Sequence, residues 1–110
     1  MTGPRGRAAG ALLALACLAG CEPAKRAPQT ATIVIDQLAF KPPPLDLHVG
    51  DTVVWQNHDI FQHSATANDG SFDVELPAGG SGKAVMKHAG TIVYVCRYHP
   101  GMTGKLTVDP

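Results

Sequence analysis

Three side chains with nitrogen or sulfur donor atoms lie within one short stretch near the end of this sequence. They are Cys96, His99 and Met102, spaced Cys-x2-His-x2-Met in the segment CRYHPGM. Another imidazole, that of His63, lies far upstream in the segment FQHSAT. If all four side chains bind one metal ion, the fold must bring two distant parts of the chain together. This requirement constrains the architecture more strongly than any other feature of the sequence.

The four side chains match the ligand set of a mononuclear blue-copper site, which consists of two imidazoles, one thiolate and one thioether. The two sulfur ligands suit Cu(I), and imidazole suits both oxidation states. We therefore predict one copper ion bound by His63, Cys96 and His99, with Met102 as the weak axial ligand. The residues alone leave alternatives open. Cys96 could be a buried free thiol, Met102 could be a core side chain, and His58 could replace His63.

The start of the chain has the pattern of a secretory signal peptide. Arg5 and Arg7 form a short basic region, and the apolar run 8–18 follows it. This run is too short to span a membrane, which takes about 20 apolar residues. We therefore predict that residues 1–20 are a lipoprotein signal peptide and that the protein is exported.

The tetrapeptide Leu-Ala-Gly-Cys that ends at Cys21 resembles the bacterial lipobox, whose cysteine is lipidated and becomes the mature N-terminus. The alternative is an ordinary signal peptide cleaved nearby, with Cys21 incidental. Residues 21–29 are polar and contain prolines, which suits a flexible linker between the lipid and a domain at 30–110. We expect the lipid to anchor the protein on the periplasmic or extracellular side of a bacterial membrane.

The cysteine content indicates metal binding rather than disulfide formation. Of the three cysteines, Cys17 would leave with the signal peptide and Cys21 would carry lipid, which leaves Cys96 alone. Exported proteins normally oxidise their cysteines to disulfides, so a single remaining thiol is either inert in the core or a functional ligand. The neighbouring His99 and Met102 favour the ligand.

Short apolar–polar alternations, separated by turn signals, fill the rest of the chain. Val53 and Trp55 share one face of such a segment, and Ile92, Tyr94 and Cys96 share a face of another. After the signal peptide no segment has a sustained helical period. We therefore predict an all-β domain with seven to eight strands in a two-sheet β-sandwich. The predicted strands are 30–35, 45–49, 52–57, 62–67, 72–75, 83–87, 91–96 and 104–108.

The ligand spacing and several short segments resemble the cupredoxin family. Cys-x2-His-x2-Met is similar to the spacing in amicyanin and pseudoazurin, whereas plastocyanin and azurin have longer loops. The resemblance covers about residues 33–108, nearly the whole mature domain. It implies a Greek-key sandwich, one type 1 copper and one-electron transfer, and it favours His63 over His58. The other matching segments are FKP at 40–42, GDTVVW at 50–55, NHD at 57–59, GSFD at 70–73 and GT at 90–91.

The resemblance also indicates three residues that would tune the ligands. Ser64 occupies the position from which a hydrogen bond usually braces the cysteine loop, here at Arg97. Relatives often have asparagine at this position, so we expect a weaker brace from serine. Pro100 has no backbone N–H and cannot donate to the Cys96 sulfur, so we expect a higher reduction potential than a donor-rich loop would give.

The predicted ligands leave copper without an open position for a substrate, so we expect an electron carrier and not an enzyme. Redox proteins would dock transiently at the exposed edge of His99, within an apolar rim that includes Ile60, Phe61, Pro77 and Pro100. The alternatives are an exported protein that binds and delivers copper, and a structural sandwich without metal.

The charge balance and the remaining histidines add little to this prediction. The signal peptide contains two of the nine basic residues, so seven basic residues face nine acidic ones after its removal. So small an imbalance gives no indication of a nucleic-acid partner, and we expect a monomer. His48 and His88 are expected to lie in solvent.

Overall fold

The computed structural model describes residues 26–110. The predicted signal peptide 1–20 and the predicted lipid attachment at Cys21 lie outside the described residues. Every regular element between residues 26 and 110 is a β-strand. No helix in this part of the chain is long and apolar enough to cross a membrane.

The strands form two sheets packed face to face. One sheet has four strands in the order β2-β1-β4-β7, and the other has five in the order β3-β9-β8-β5-β6. This arrangement confirms the predicted all-β, two-sheet sandwich. The strands are β1 Thr30–Asp36, β2 Ala39–Phe40, β3 Leu47–His48, β4 Thr52–Asn57, β5 His63–Ala67, β6 Asp73–Leu76, β7 Ser81–Val85, β8 Gly90–Val95 and β9 Thr103–Asp109.

The described residues contain nine strands, against the seven to eight predicted. The additional strand is β2, which has two residues and is too short to give an alternating pattern. The predicted strand 45–49 is reduced to the two residues of β3, and Val49 at its end is 42% exposed. The other predicted strands differ from the observed ones by at most two residues at either end.

The core lies between the two sheets and is built from alternate residues of each strand. Ile33 and Ile35 of β1 and Val53 and Trp55 of β4 are completely buried. β1 and β4 pair in parallel with Ile33 opposite Trp55, so the inward residues of both strands form one continuous apolar surface. The period-two prediction for β4 is therefore confirmed.

Aromatic rings fill the centre of this core. The Trp55 ring lies 5.7 Å from Tyr94 and 5.1 Å from Phe72, and its Nε1–H donates to the Tyr94 hydroxyl at 3.3 Å. Burial raises the pKa of Tyr94 to about 12. Gly104 makes room for this tyrosine, since a Cβ at position 104 would lie 2.4 Å from the Tyr94 ring.

The two ends of the sandwich differ in content, and we name them the ligand pole and the far pole. At the ligand pole β4 and β8 end and β5 and β9 begin, so this pole carries Asn57, His63 and Cys96. At the far pole β1, β4 and β8 begin and β9 ends at Asp109. The topology therefore brings the upstream histidine and the C-terminal cysteine to the same end of the molecule.

Candidate metal centre

Neighbouring strands of the five-stranded sheet place the candidate ligands. His63 is the first residue of β5, and Cys96 directly follows β8. β5 and β8 pair in antiparallel fashion with Thr66 opposite Val95, so the start of one strand lies beside the end of the other. The loop from Cys96 to Met102 then turns the chain into β9, which pairs back along β8.

Three donor atoms converge at the ligand pole. Nδ1 of His63 lies 3.2 Å from Nδ1 of His99, and the Cys96 Sγ lies 3.6 Å from the first and 3.5 Å from the second. His63 and Cys96 are buried, whereas His99 is half-buried. This set of two imidazoles and one thiol is positioned as a type 1 copper site, because its donor types are those that such copper uses.

Met102 is buried at the end of the same loop, 5% exposed. Its carbonyl accepts a hydrogen bond from the Cys96 N–H at 3.0 Å, and its own N–H donates to the His99 carbonyl at 3.1 Å. Gly101 has a φ of 88°, a conformation that side chains with a Cβ rarely adopt and that glycine adopts freely. These features hold the loop in a tight turn and bring the methionine into the interior.

Ser64 makes two contacts to the cysteine segment. Its backbone N–H donates to the Cys96 Sγ at 3.4 Å, and its hydroxyl oxygen accepts from the Arg97 N–H at 2.9 Å. The hydroxyl also shares a hydrogen bond with Thr66 at 2.9 Å. Ser64 therefore makes the brace to Arg97 that the sequence indicated, with a hydroxyl in place of an amide.

Sequence reasoning missed Asp59, which contacts the ring nitrogen of His63 that points away from Cys96 and His99. An Asp59 carboxylate oxygen lies 2.8 Å from Nε2 of His63, on the side of the ring opposite the cluster. Burial would raise the pKa of Asp59, but hydrogen bonds from His63, Leu38 and Gln37 outweigh it and hold the pKa below its ordinary value. The spacing of four residues between Asp59 and His63 within a loop gave no signal of this contact.

Asn57 fixes the loop that carries Asp59. Its side-chain Nδ2 donates to the carbonyls of Phe61 and Leu76 at 2.8 and 3.0 Å, and its Oδ1 accepts from the Asp59 N–H at 2.9 Å. Because Asn57 is 1% exposed, this amide replaces the hydrogen bonds that water would otherwise supply. The asparagine thus connects the end of β4 to the start of β5.

A charged network covers the outside of the site. Arg97 donates to Asp73 at 3.1 Å and to Glu75, and the Tyr98 hydroxyl donates to Glu75 at 2.7 Å. These hydrogen bonds lower the pKa of both carboxyl groups, and the acidic partners raise the pKa of Arg97. Asp73 and Glu75 are exposed, and both form ion pairs with Arg97.

The remaining histidines do not join the cluster. His58 is exposed and lies outside the three-residue group, so the structure selects His63 as the upstream imidazole. His88 is exposed, as expected. The expectation for His48 was wrong, since this residue is half-buried and its Nδ1 has no hydrogen-bond partner among the described residues.

Several residues of the predicted apolar rim are exposed. Ile60 is 84% exposed, Phe61 is 50% exposed, and the Phe61 ring lies 6.0 Å from the His99 ring. Pro77 and Pro100 are also exposed. The half-buried imidazole of His99 therefore has at least one exposed aromatic neighbour at the ligand pole.

Sequence comparisons find relatives for most of the chain. A family model described as a cupredoxin-like domain matches residues 8–108. Amicyanin of Paracoccus denitrificans is 32% identical over 94 residues, which cover 70% of this chain and 65% of that protein. Amicyanin-alpha of Methylorubrum extorquens is 32% identical over 95 residues, which cover 80% of each chain. The chain thus spans just under two thirds of the length of the Paracoccus denitrificans relative.

Solved structures give the same result for the fold. The Cu(I) form of an amicyanin mutant aligns with a TM-score of 0.65 and 27% identity, covering 73% of this chain and 82% of that one. An oxidised amicyanin mutant aligns with a TM-score of 0.63 and 26% identity, covering 71% and 80%. The likeness therefore includes the two-sheet sandwich and most of its length.

Proposed function

Because this chain belongs to the cupredoxin-like family, we propose that it is a type 1 blue-copper protein that carries single electrons between redox proteins. The observation that supports this proposal most directly is the convergence of His63, Cys96 and His99 on one point. Copper bound there would supply a one-electron couple between Cu(II) and Cu(I). One reduced protein would give the electron and one oxidised protein would accept it.

We propose that Met102 is the fourth ligand. Its burial and the two backbone hydrogen bonds that close its loop support this role. Four protein ligands leave no open position for a substrate, which supports electron transfer over catalysis. The buried side chains of His63 and Cys96 also keep water away from the ion.

The edge of His99 is the proposed contact point for redox partners. This ring is half-buried, its neighbour Phe61 is exposed, and Ile60, which precedes Phe61 in the chain, is exposed as well. A small apolar surface of this kind suits weak and short-lived complexes, which electron carriers need for rapid exchange of partners. We propose that the carrier acts as a monomer.

We propose further that the protein is exported and tethered to a membrane by lipid on Cys21. The linker joins the domain at the pole opposite His99, since Arg26 and Gln29 bind Asp51 at the far pole. A tether that leaves from this pole would hold the domain with His99 directed away from the membrane. Mass spectrometry of the membrane fraction tests the lipid, because unmodified Cys21 would contradict it.

The experiment that tests the copper site is a Cu(II) titration followed by optical and EPR spectroscopy. We expect a thiolate-to-copper absorption band in the wild type and its loss in Cys96→Ser. Met102→Leu should change the spectrum, whereas Met86→Leu, at a buried methionine of the core, should not. His58→Ala should keep the band and His63→Ala should lose it. A wild type without the band would contradict the proposal.

The rate of copper exchange separates electron transfer from copper delivery. A carrier of electrons should retain copper during repeated reduction and oxidation. A delivery protein should pass copper rapidly to a competing chelator. The buried positions of His63 and Cys96 favour slow exchange.

A further inference from the structure

We propose that Asp59 is a positioning residue that holds His63 in the one tautomer and orientation that can bind a metal through Nδ1. This inference rests on the proposed copper site and adds to it a residue outside the ligand set. Three features support this role of Asp59: the location of the proton on the His63 ring, the hydrogen bonds that hold the carboxylate, and the burial of both side chains.

The hydrogen bond to Asp59 determines where the His63 ring carries its proton. An ionised carboxylate can only accept hydrogen bonds, so Nε2 of His63, 2.8 Å away, must be the protonated nitrogen. In the neutral ring that metal binding requires, Nδ1 then carries the lone pair, and this atom lies 3.6 Å from the Cys96 Sγ and 3.2 Å from Nδ1 of His99. The opposite tautomer would put a proton where the metal must bind.

The carboxylate of Asp59 is itself held in place by the turn between β1 and β2. Its two oxygens accept the backbone N–H groups of Gln37 at 2.8 Å and Leu38 at 2.9 Å. Both of these residues have positive φ angles, 55° and 61°, which are unfavourable for side chains with a Cβ. Such strain persists only where surrounding contacts enforce it, and here it directs two donors at one acceptor.

Burial leaves His63 dependent on this partner. The His63 side chain is completely buried and that of Asp59 is 11% exposed, so solvent has little access to Nε2. The ring position is therefore set by protein contacts before any metal arrives. A carboxylate on the outer nitrogen also makes the imidazole a stronger donor and brings negative charge toward the ion.

The competing explanation is that Asp59 only stabilises the turn at Gln37 and Leu38. In that case its removal would lower stability without changing the ring proton of His63. The tautomer can be read directly in the metal-free protein from the ¹⁵N chemical shifts of the His63 ring. We expect the wild type to be protonated at Nε2. A wild type protonated at Nδ1 would overturn the proposal without the need for any variant.

Asp59→Asn is the variant that separates the two roles. Asparagine has nearly the same shape but no charge, and its NH₂ group cannot accept a hydrogen bond. In place of Oδ2 the NH₂ would deprive both His63 Nε2 and the Leu38 N–H of their acceptor, whereas in place of Oδ1 it would deprive the Gln37 N–H. We expect a shift of His63 toward the Nδ1-protonated tautomer and about 10–100-fold weaker Cu(II) binding. If Cu(II) binding weakens tenfold more than Cu(I) binding, the reduction potential rises by about 59 mV.

Asp46→Asn is the matched control, since Asp46 is an exposed residue next to β3 at the far pole. It should leave the His63 tautomer and Cu(II) affinity as in the wild type. Asp59→Glu, which keeps the charge, should restore more of the Cu(II) affinity than Asp59→Asn. Equal affinity and tautomer in Asp59→Asn and Asp46→Asn would overturn the proposal. A wild type that shows no thiolate band would instead contradict copper binding, while leaving the tautomer result intact.

Discussion

Asp51 at the far pole and Asp59 at the ligand pole are held in similar ways. Each accepts hydrogen bonds from two backbone N–H groups and from one side chain. At the far pole that side chain is the Arg26 guanidinium, 2.9 Å away. At the ligand pole it is the imidazole of His63. The hydrogen bonds hold the pKa of both carboxyl groups below the ordinary value, although burial would raise it.

The two partners differ in chemistry, and this difference separates a structural role from a functional one. Arg26 is a cation that pairs with Asp51, so this carboxylate has its counter-charge within the chain. Asp59 instead faces an imidazole, whose other nitrogen lies 3.2 Å from Nδ1 of His99 and 3.6 Å from the Cys96 Sγ. The ligand pole therefore connects its carboxylate to a cluster of donor atoms that could bind a metal ion, whereas the carboxylate of the far pole pairs with an arginine.

Copper loading should produce the largest difference between the poles. At free copper 1,000-fold above the dissociation constant, binding to the native state adds about 4 kcal/mol to the free energy of unfolding. Hydrogen exchange should slow most around His63 and residues 96–102 and least around Asp51. Unchanged exchange around His63 and residues 96–102 would contradict the localised site. Cys96→Ser, measured at the same copper concentration, is the control.

Asp51→Asn should lower the free energy of unfolding without changing the copper site at the ligand pole. Removal of one partner from a buried ion pair costs about 3–5 kcal/mol, and we expect about 3 kcal/mol because Arg26 is 30% exposed. Denaturant unfolding of the metal-free protein measures this loss. The thiolate band should be unchanged. Asp46→Asn, at an exposed residue, provides the control, and a comparable loss there would show that burial of Asp51 is not the cause.

Acid should remove the contribution of Asp51 to the free energy of unfolding. Its pKa in the folded protein lies below the ordinary value of 3.8, so its stabilisation is complete above that value and is lost as the pH falls through the folded pKa. The groups facing it are Arg26 and the N–H groups of Gln29 and His48. The stability difference between wild type and Asp51→Asn should be constant from about pH 7 to 5 and shrink below 3.8. A constant difference down to pH 2 would contradict an ionised Asp51.

Ser64→Ala tests a weaker contact of the ligand pole. It removes the acceptor of the Arg97 N–H but keeps the backbone donor to the Cys96 Sγ. We expect a loss of about 1 kcal/mol in the free energy of unfolding. Ser71→Ala, at an exposed serine, should lose less. Equal losses in the two variants would mean that the brace to Arg97 adds no stability.

Pro100→Ala should have the smallest effect on stability and a measurable effect on the reduction potential. The new backbone N–H can donate toward the Cys96 sulfur, which already accepts one from Ser64, and we expect a lower potential. The free energy of unfolding should change by less than about 0.5 kcal/mol. Pro77→Ala, at another exposed proline of this pole, is the control. An unchanged midpoint potential in Pro100→Ala would refute the expectation.

The sequence alone predicted the strands, the core face of β4 and the identity of three clustered donor side chains. These features depend on local periodicity and on donor chemistry, both of which can be read from neighbouring residues. The two-residue strands β2 and β3 could not be predicted well, because so short a segment has no period. The burial of His48 was not predicted, because the alternation along a strand does not reveal which distant residues pack over the outward side chains.

What the sequence by itself determined is the chemistry: Cys96, His99 and Met102 lie in one turn, and their donor atoms suit copper. The tertiary structure confirmed His63 as the upstream histidine that meets Cys96 and His99, and it alone showed that Asp59 contacts the other nitrogen of its ring. Asp59 and Asp51 look alike as isolated carboxylates in the sequence. Their partners come from the linker, from β3 and β5 and from the turn between β1 and β2, so the difference between a guanidinium partner and an imidazole partner arises only when distant segments meet.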